Sequence, residues 1–359
     1  MLLKENTPLA CFTTFGIGGQ ARWFVEASNE EEITEAAAWA GEHGTALVVL
    51  GGGSNLLVAD AGFGGLVVHV AVRGISVTEG AEGKSQAGEV IYAVAAGEDW
   101  EHFVQRATED GCAGIECLAG IPGTVGGTPV QNVGAYGQEV ASVIVRVRAF
   151  DVVEHTFAEF TGDECGFGYR KSRFNTTDRG RYLVTRVDYR LTRGGAPTVR
   201  YADLQKALAD GRAEGGQPSL VEVAAAVRRV RQTKGMLIVD GDPDCRSAGS
   251  FFKNPVVTEE QIRRIAAGNA VDPPRFPAGS GAENAGQVKV PAAWLIEQAG
   301  FHKGYALGRA GISSKHTLAL VNRGEASAAE ILALAAQITA RVEEQFGIRL
   351  EMEPVMIGF

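Results

Sequence analysis

The stretch Thr45-Ala46-Leu47-Val48-Val49-Leu50-Gly51-Gly52-Gly53-Ser54-Asn55-Leu56-Leu57-Val58-Ala59 governs how this chain is read. Thr45 to Leu50 is a short apolar run ending at glycine, which predicts a buried strand. Leu56 to Ala59 is a second apolar run, and Asp60-Ala61-Gly62 follows as a turn. The glycines therefore join strand to strand. A dinucleotide fingerprint runs from a strand through GxGxxG into a helix, and a P-loop needs Gly-Lys-Ser/Thr opening a helix. Neither pattern occurs here. Two readings stay open for this loop alone: a tight hairpin turn with extra glycine, or a nest of backbone N–H groups for phosphate oxygens.

A second glycine-rich stretch reads Ala119-Gly120-Ile121-Pro122-Gly123-Thr124-Val125-Gly126-Gly127 and continues Thr128-Pro129-Val130-Gln131-Asn132-Val133-Gly134-Ala135-Tyr136-Gly137. It is too apolar for an ordinary surface turn. Glycine allows close backbone approach and positive φ. Two such loops in one chain suggest a ligand with an extended pyrophosphate, held from two sides.

Bulk properties narrow the class. The chain has 359 residues, 45% hydrophobic and 21% charged, which suits a globular enzyme with more than one domain. A formal net charge of −9 argues against nucleic acid as a partner. Cys11, Cys112, Cys117, Cys165 and Cys245 are odd in number and scattered, so reduced thiols in a cytoplasmic protein are expected. The histidines (His43, His69, His102, His155, His302, His316) form no HExxH, and no CxxC exists, so no metal site is expected. No apolar run is long enough for a transmembrane helix, and no membrane insertion is expected. A monomer is expected.

Helix signals recur along the chain. Capping boxes are predicted at Ser28/Glu31, Ser219/Glu222, Thr258/Gln261 and Ser327/Glu330. The first helix carries Ile33, Ala36, Ala37 and Ala40 on one face and ends at Gly41 and Gly44. Another starts at Asp99 with Trp100, Phe103, Val104 and Ala107 on one face and stops at Gly111. The third box opens a helix ending near Gly268. The last helix carries Ile331, Leu334, Ile338, Val342 and Phe346 and stops at Gly347. Residues 143–150 and 182–191 alternate as half-buried strands, with Gly166-Phe167-Gly168-Tyr169-Arg170 as punctuation between them. Asp272-Pro273-Pro274 through Gly286 reads as a surface loop.

Four further stretches complete the pattern: Thr14-Phe15-Gly16-Ile17-Gly18-Gly19, Gly168-Tyr169-Arg170, Ala248-Gly249-Ser250-Phe251-Phe252-Lys253-Asn254-Pro255, and Phe346-Gly347-Ile348-Arg349-Leu350-Glu351-Met352-Glu353. With the second glycine loop they make the chain resemble the UDP-N-acetylenolpyruvoylglucosamine reductase family. They lie in family order and cover nearly the whole chain. The resemblance implies an α+β fold of the vanillyl-alcohol oxidase (PCMH) type, with two FAD-binding subdomains and a C-terminal substrate domain. The expected boundaries are 1–72 and 73–215 for FAD and 216–359 for substrate.

The resemblance also implies tightly bound FAD, NADPH as hydride donor and a UDP-sugar as substrate. Backbone donors at Gly51, Gly52, Gly53, Ser54, Asn55, Gly120, Ile121, Pro122, Gly123, Gly126 and Gly127 would hold the FAD pyrophosphate, with Asn132 and Gly134 also in the cofactor set. Ser250 aligns with the family's proton donor; by itself a serine there reads as a turn residue. Arg170 aligns with the group that binds the substrate carboxylate, a task suited to a guanidinium fork. Glu353 aligns with the acid that polarises that carboxylate while protonated. Taken alone, Arg170 reads equally as a surface arginine at a strand end, and Glu353 as a solvated acid near the C-terminus. Tyr169, Tyr201, Lys234, Asn254 and Gln298 match the diphosphate and sugar contacts. Lys234 also reads as a helix-end cation, and Tyr201 as packing.

Three departures from the family stand out. Pro354 follows Glu353 where an apolar β-branched residue is usual, which leaves open whether Glu351 or Glu353 faces the site. The 279–286 stretch is longer than is common. The chain ends soon after Glu353, where some relatives add a strand. Two rival readings are an alcohol or hydroxy-acid oxidase on the same scaffold and a nucleotide-binding protein without turnover. The AGSFFKNP stretch argues against the first, and the Arg170, Ser250 and Glu353 set against the second.

Overall fold

The computed structural model describes residues 1–79, 88–209, 216–267, 272–278 and 286–359. They form two compact units. The first takes Met1–Thr7, Ala21–Gly53 and Phe63–Thr233, and the second Pro8–Gln20, Ser54–Gly62 and Lys234–Phe359.

The first unit is built on two larger sheets, beside a two-stranded pairing of Gly134–Ala135 with Gln138–Glu139. One has the order Leu3–Pro8, Gln20–Ala27, Phe63–Val70, Leu47–Leu50. The last three strands pair in parallel, so the chain must cross over between them. The helix Glu30–Glu42 makes one crossover and buries Ile33, Ala36, Ala37 and Ala40, as its spacing predicts. Its cap differs from the expected Ser28/Glu31 box. Asn29 is the N-cap and accepts from the Glu32 N–H at 2.9 Å. The Glu32 carboxylate reaches back to the N–H and hydroxyl of Ser28, each at 2.8 Å. The box has moved one residue along because Asn at the cap is as good an acceptor as Ser.

The second sheet is antiparallel, with Thr156–Thr161, Ile144–Asp151, Tyr182–Arg193, Glu89–Ala95 and Ile75–Glu79 in that order. The helix Trp100–Glu109, capped by Asp99, packs Trp100 and Phe103 against Tyr189 and Tyr92. These four rings are fully buried, and their polar ends are hydrogen-bonded. Trp100 Nε1 donates to the Leu118 carbonyl at 3.0 Å, and the Tyr189 hydroxyl meets Thr128 Oγ1 at 2.7 Å. The helix Leu220–Thr233 belongs to this unit, and Val223, Ala226 and Val227 join its core. Its Ser219/Glu222 box forms as expected.

The second unit packs Phe15, Ile17 and Leu57 with Phe251, Phe252, Leu295 and Ile338 in one core. Its long helix Ala328–Phe346 has the Ser327/Glu330 box and ends at Gly347 in the left-handed region. The Asp60 carboxylate adds a second cap, accepting from Ala328 and Ala329 N–H at 2.7 and 3.0 Å. The Thr258/Gln261 box opens the helix Glu259–Ala267. Gly268, its expected end, lies outside the described residues. So does most of the 279–286 stretch.

Three expectations need correction. First, the strands flanking the first glycine loop do not make a hairpin. Leu47–Leu50 pairs with Phe63–Val70, and Leu56–Val58 pairs in parallel with Val355–Ile357. Second, residues 272–286 are not all loop. Phe276–Pro277 is an edge strand on Gln287–Lys289, where a missing proline N–H is tolerated. Third, a strand does follow Glu353. The Glu353 N–H donates to the Phe251 carbonyl, whereas the Val355 N–H donates to the Asn55 carbonyl, both at 2.9 Å. Pro354 sits where the chain changes partner, so no ladder bond is lost there.

Candidate active site

In the first unit the two glycine loops touch. A Cβ on Gly52 would lie 2.5 Å from the Gly123 Cα, and one on Gly51 would lie 2.8 Å from Thr124 Oγ1. Only glycine fits there. Gly53 and Gly123 have φ of +61° and +127°. The second loop spends several of its own amides. Gly126 N–H donates to Ala96, Val125 to Glu98 and Gly127 to Thr124. Gly120 N–H donates to the Glu101 carboxylate. Pro122 has none, which leaves Ile121, Gly123 and Thr124 as the loop's amide supply for a ligand.

Asn132, at φ +45°, works as a strut. Its Nδ2 donates to the Gly168 carbonyl and to Glu139, both at 3.0 Å, and its Oδ1 accepts from Ala141 at 3.1 Å. This holds the turn that carries Tyr169 and Arg170. Arg170, at φ +55°, donates through Nη2 to the Gly134 carbonyl at 3.1 Å. Its guanidinium lies 5.7 Å from the Tyr169 ring. Tyr201 is 52% exposed and meets Tyr136 edge-on at 6.0 Å.

Arg231 belongs to this group. It is buried and donates through Nε to the Gly120 carbonyl at 2.9 Å. Burial, with the Arg170 charge beside it, pushes its pKa down to about 10. Two neighbouring guanidiniums favour an anion. Arg231 continues the buried stripe of Leu220, Val223 and Val227 at helical spacing, a signal present in the sequence.

In the second unit, Ser250 follows Gly249, which has φ +69°. The next residues pair with the Glu351–Glu353 stretch. Lys253 N–H donates to the Glu351 carbonyl and Glu353 N–H to the Phe251 carbonyl, both at 2.9 Å. The Asn55 side chain reaches the Glu353 carbonyl at 3.4 Å. Ser250, Asn55 and Glu353 are thereby held on neighbouring segments. Glu351 is exposed and ion-paired with Lys253 at 2.5 Å.

The remaining residues divide. Asn254 Oδ1 accepts from the Ala292 N–H at 2.9 Å, at the start of the helix Ala292–Gln298. Gln298 is exposed at the end of that helix, with its carbonyl accepting from Gln345 at 3.2 Å. Among the described residues no hydrogen bond ties it to the Ser250 segment. Lys234 stands near His316, whose pKa burial and the Lys234 and Lys303 charges push down to about 4. The Leu318 N–H donates to His316 Nδ1 at 3.0 Å, so the neutral ring keeps its proton on Nε2. This cluster was missed because Lys234, Lys303 and His316 are far apart in sequence.

Other chemistry finds little support. All five cysteines are free. Burial pushes Cys117 and Cys165 up to about 12, which keeps those thiols unreactive. Among the described residues no cluster suits a metal ion, and no helix is long and apolar enough to cross a membrane.

A family model for an FAD-binding domain matches residues 21–156. This agrees with the α+β fold and the glycine cradle, and it makes the protein a flavin-dependent oxidoreductase. The family model for the C-terminal domain of UDP-N-acetylenolpyruvoylglucosamine reductase matches residues 242–357. The reductase of that name from Thermobifida fusca is 45% identical over 99% of this chain and 98% of its own length. That from Streptomyces coelicolor is 45% identical over 99% of this chain and 90% of its own. A crystal structure of the Thermus caldophilus enzyme covers 99% of this chain and 100% of its own, with TM-score 0.64 and 27% identity. The chain belongs to the UDP-N-acetylenolpyruvoylglucosamine reductase family.

Proposed function

We propose that the protein reduces UDP-N-acetylglucosamine enolpyruvate to UDP-N-acetylmuramate, a step of peptidoglycan precursor synthesis, acting as a cytoplasmic monomer. The hydrogen-bonded pairing of Phe251 and Lys253 with Glu351 and Glu353 carries this reading. It brings the segments of Ser250 and Glu353 together, which supports a reaction that needs a proton at one carbon and a polarised carboxylate next to it.

The cradle of Gly51, Gly52, Gly53, Gly123 and Gly127 fits FAD. Cβ atoms at Gly51 and Gly52 would push the second loop away from the first, while at Gly127 there is open space. Ser54 and Asn55 extend the first loop. Gly120, Ile121, Pro122 and Gly126 shape the second, and Asn132 and Gly134 brace it. FAD held there and reduced by NADPH would supply hydride for the terminal carbon of the enolpyruvyl double bond.

The protein's own groups do the rest. Ser250 Oγ gives a proton to C2, completing reduction of the double bond; a weak acid suffices because the conjugate base of the product is strong. Arg170 holds the carboxylate, which gains negative charge as the hydride arrives. Glu353 rather than Glu351 polarises it, since Glu351 is engaged with Lys253. Lys234, Lys303 and the His316 Nε2 proton form a donor cluster for the diphosphate. Tyr169, Tyr201 and Asn254 are the sugar contacts of this reading, and Gln298 is its weakest member. The FAD regions are 1–72 and 73–215. The substrate region of this reading is 216–359.

An anaerobic visible spectrum tests the whole reading. Flavin bands should bleach with NADPH and return with the enolpyruvyl nucleotide. Bleaching without return would favour an oxidase using another substrate. A protein that takes up no FAD would remove the flavoenzyme reading.

A further inference from the structure

Gly120 is held at both ends of its backbone. Its N–H donates to one oxygen of Glu101, in the first turn of the helix Trp100–Glu109. The other oxygen of Glu101 accepts from Arg228 Nη1. The Gly120 carbonyl accepts from Arg231 Nε at 2.9 Å. Arg228 and Arg231 lie three apart on the helix Leu220–Thr233, the spacing that puts side chains on one side. Two helices thus grip one glycine, which sits at φ +72°.

A carboxylate beside a diphosphate site needs a reason, because it repels the ligand. Glu101 accepts hydrogen bonds and has none to give, so it is no phosphate ligand. Its charge is matched by Arg228, and its effect falls on the loop. With Gly120 fixed, Ile121, Gly123 and Thr124 start from one set position, and their amides need no reordering when an anion arrives. Ordering a loop in advance removes that cost from binding.

We propose that Glu101 is a positioning residue for the cofactor, acting with Arg228 and Arg231 to preset the second glycine loop for the diphosphate of FAD. This rests on the flavoenzyme reading above. Neither Glu101 nor Arg228 touches the reacting atoms. The proposal goes beyond that reading by assigning the loop's order to a carboxylate rather than to its glycines alone.

The test compares FAD dissociation constants of apoprotein, by flavin fluorescence quenching well below the apoprotein melting point. Glu101→Leu removes both bonds and should weaken FAD about tenfold to a hundredfold, the effect of losing a charged hydrogen bond. Glu101→Gln keeps an acceptor for Gly120 but loses the charge facing Arg228. It should restore part of the affinity, about threefold to tenfold short of wild type. The NADPH KM of FAD-saturated variants should not change. Wild-type affinity in Glu101→Leu overturns the proposal, whatever its melting point. If that variant does not fold, Glu101→Gln decides: weakened FAD supports the proposal and unchanged FAD overturns it. A wild-type chain that binds no FAD removes the flavoenzyme reading and this inference with it; equal binding by wild type and variant removes this inference alone.

Discussion

Ser250 owes its place to its neighbours. Gly249 supplies the positive φ before it, and the Phe251 amide donates to the Leu318 carbonyl at 2.8 Å after it. The hydroxyl is therefore presented by a backbone fixed on both sides, which is what a weak general acid requires. Ser250→Ala should leave flavin reduction by NADPH at the wild-type rate. It should slow reoxidation by the enolpyruvyl nucleotide about a hundredfold to ten-thousandfold, read by stopped-flow absorbance of the two half-reactions. Normal turnover in that variant would remove Ser250 from proton donation. The role proposed for Ser250 was legible only through the surrounding motif, since a lone serine after glycine reads as a turn. The choice between Glu351 and Glu353 was not legible, because both share one parity along an extended segment. The ion pair of Glu351 with Lys253 supports Glu353 in the proposed role.

The glycine loops show how elements constrain single positions. Gly52 abuts the Gly123 backbone, whereas a Cβ on Gly127 would meet open space. Gly52→Ala should force the loops apart and weaken FAD about tenfold or more, since backbone cannot move as a flexible side chain can. Gly41→Ala, which also meets open space but lies outside the glycine loops, should change FAD affinity by less than about threefold. Isothermal titration of FAD into both apoproteins checks the contrast, and equal effects would show that the loops do not meet as described. Helices were the most readable elements. Asp99, Ser219, Thr258 and Ser327 each cap where the residue pattern predicts, because a capping bond spans only three residues. The Asp60 cap on the last helix was invisible, since donor and acceptor lie 268 residues apart. Arg231 lies between these cases. Its buried position follows from helical spacing, but its partner, the Gly120 carbonyl, does not.

Each compact unit is assembled from separated stretches. The second draws Phe15, Ile17 and Leu57 from the first sixty or so residues into the core of Lys234–Phe359. A fragment of 234–359 should therefore lack a closed core. It should show no cooperative thermal unfolding by circular dichroism, while the full chain does; a sharp transition in the fragment would mean that those early residues are dispensable. Local sequence settled what depends on neighbours in the chain: the capped helices, the alternating strands, the glycine-rich loops, and the family pattern of motifs in order. Tertiary structure settled what depends on residues far apart. Leu56–Val58 pairs with Val355–Ile357 rather than with Leu47–Leu50. Glu353 lies beside Phe251, and Lys234, Lys303 and His316 share one neighbourhood. Such pairings are chosen by closure of the whole chain around a common core, and no short window of residues carries the partner's identity.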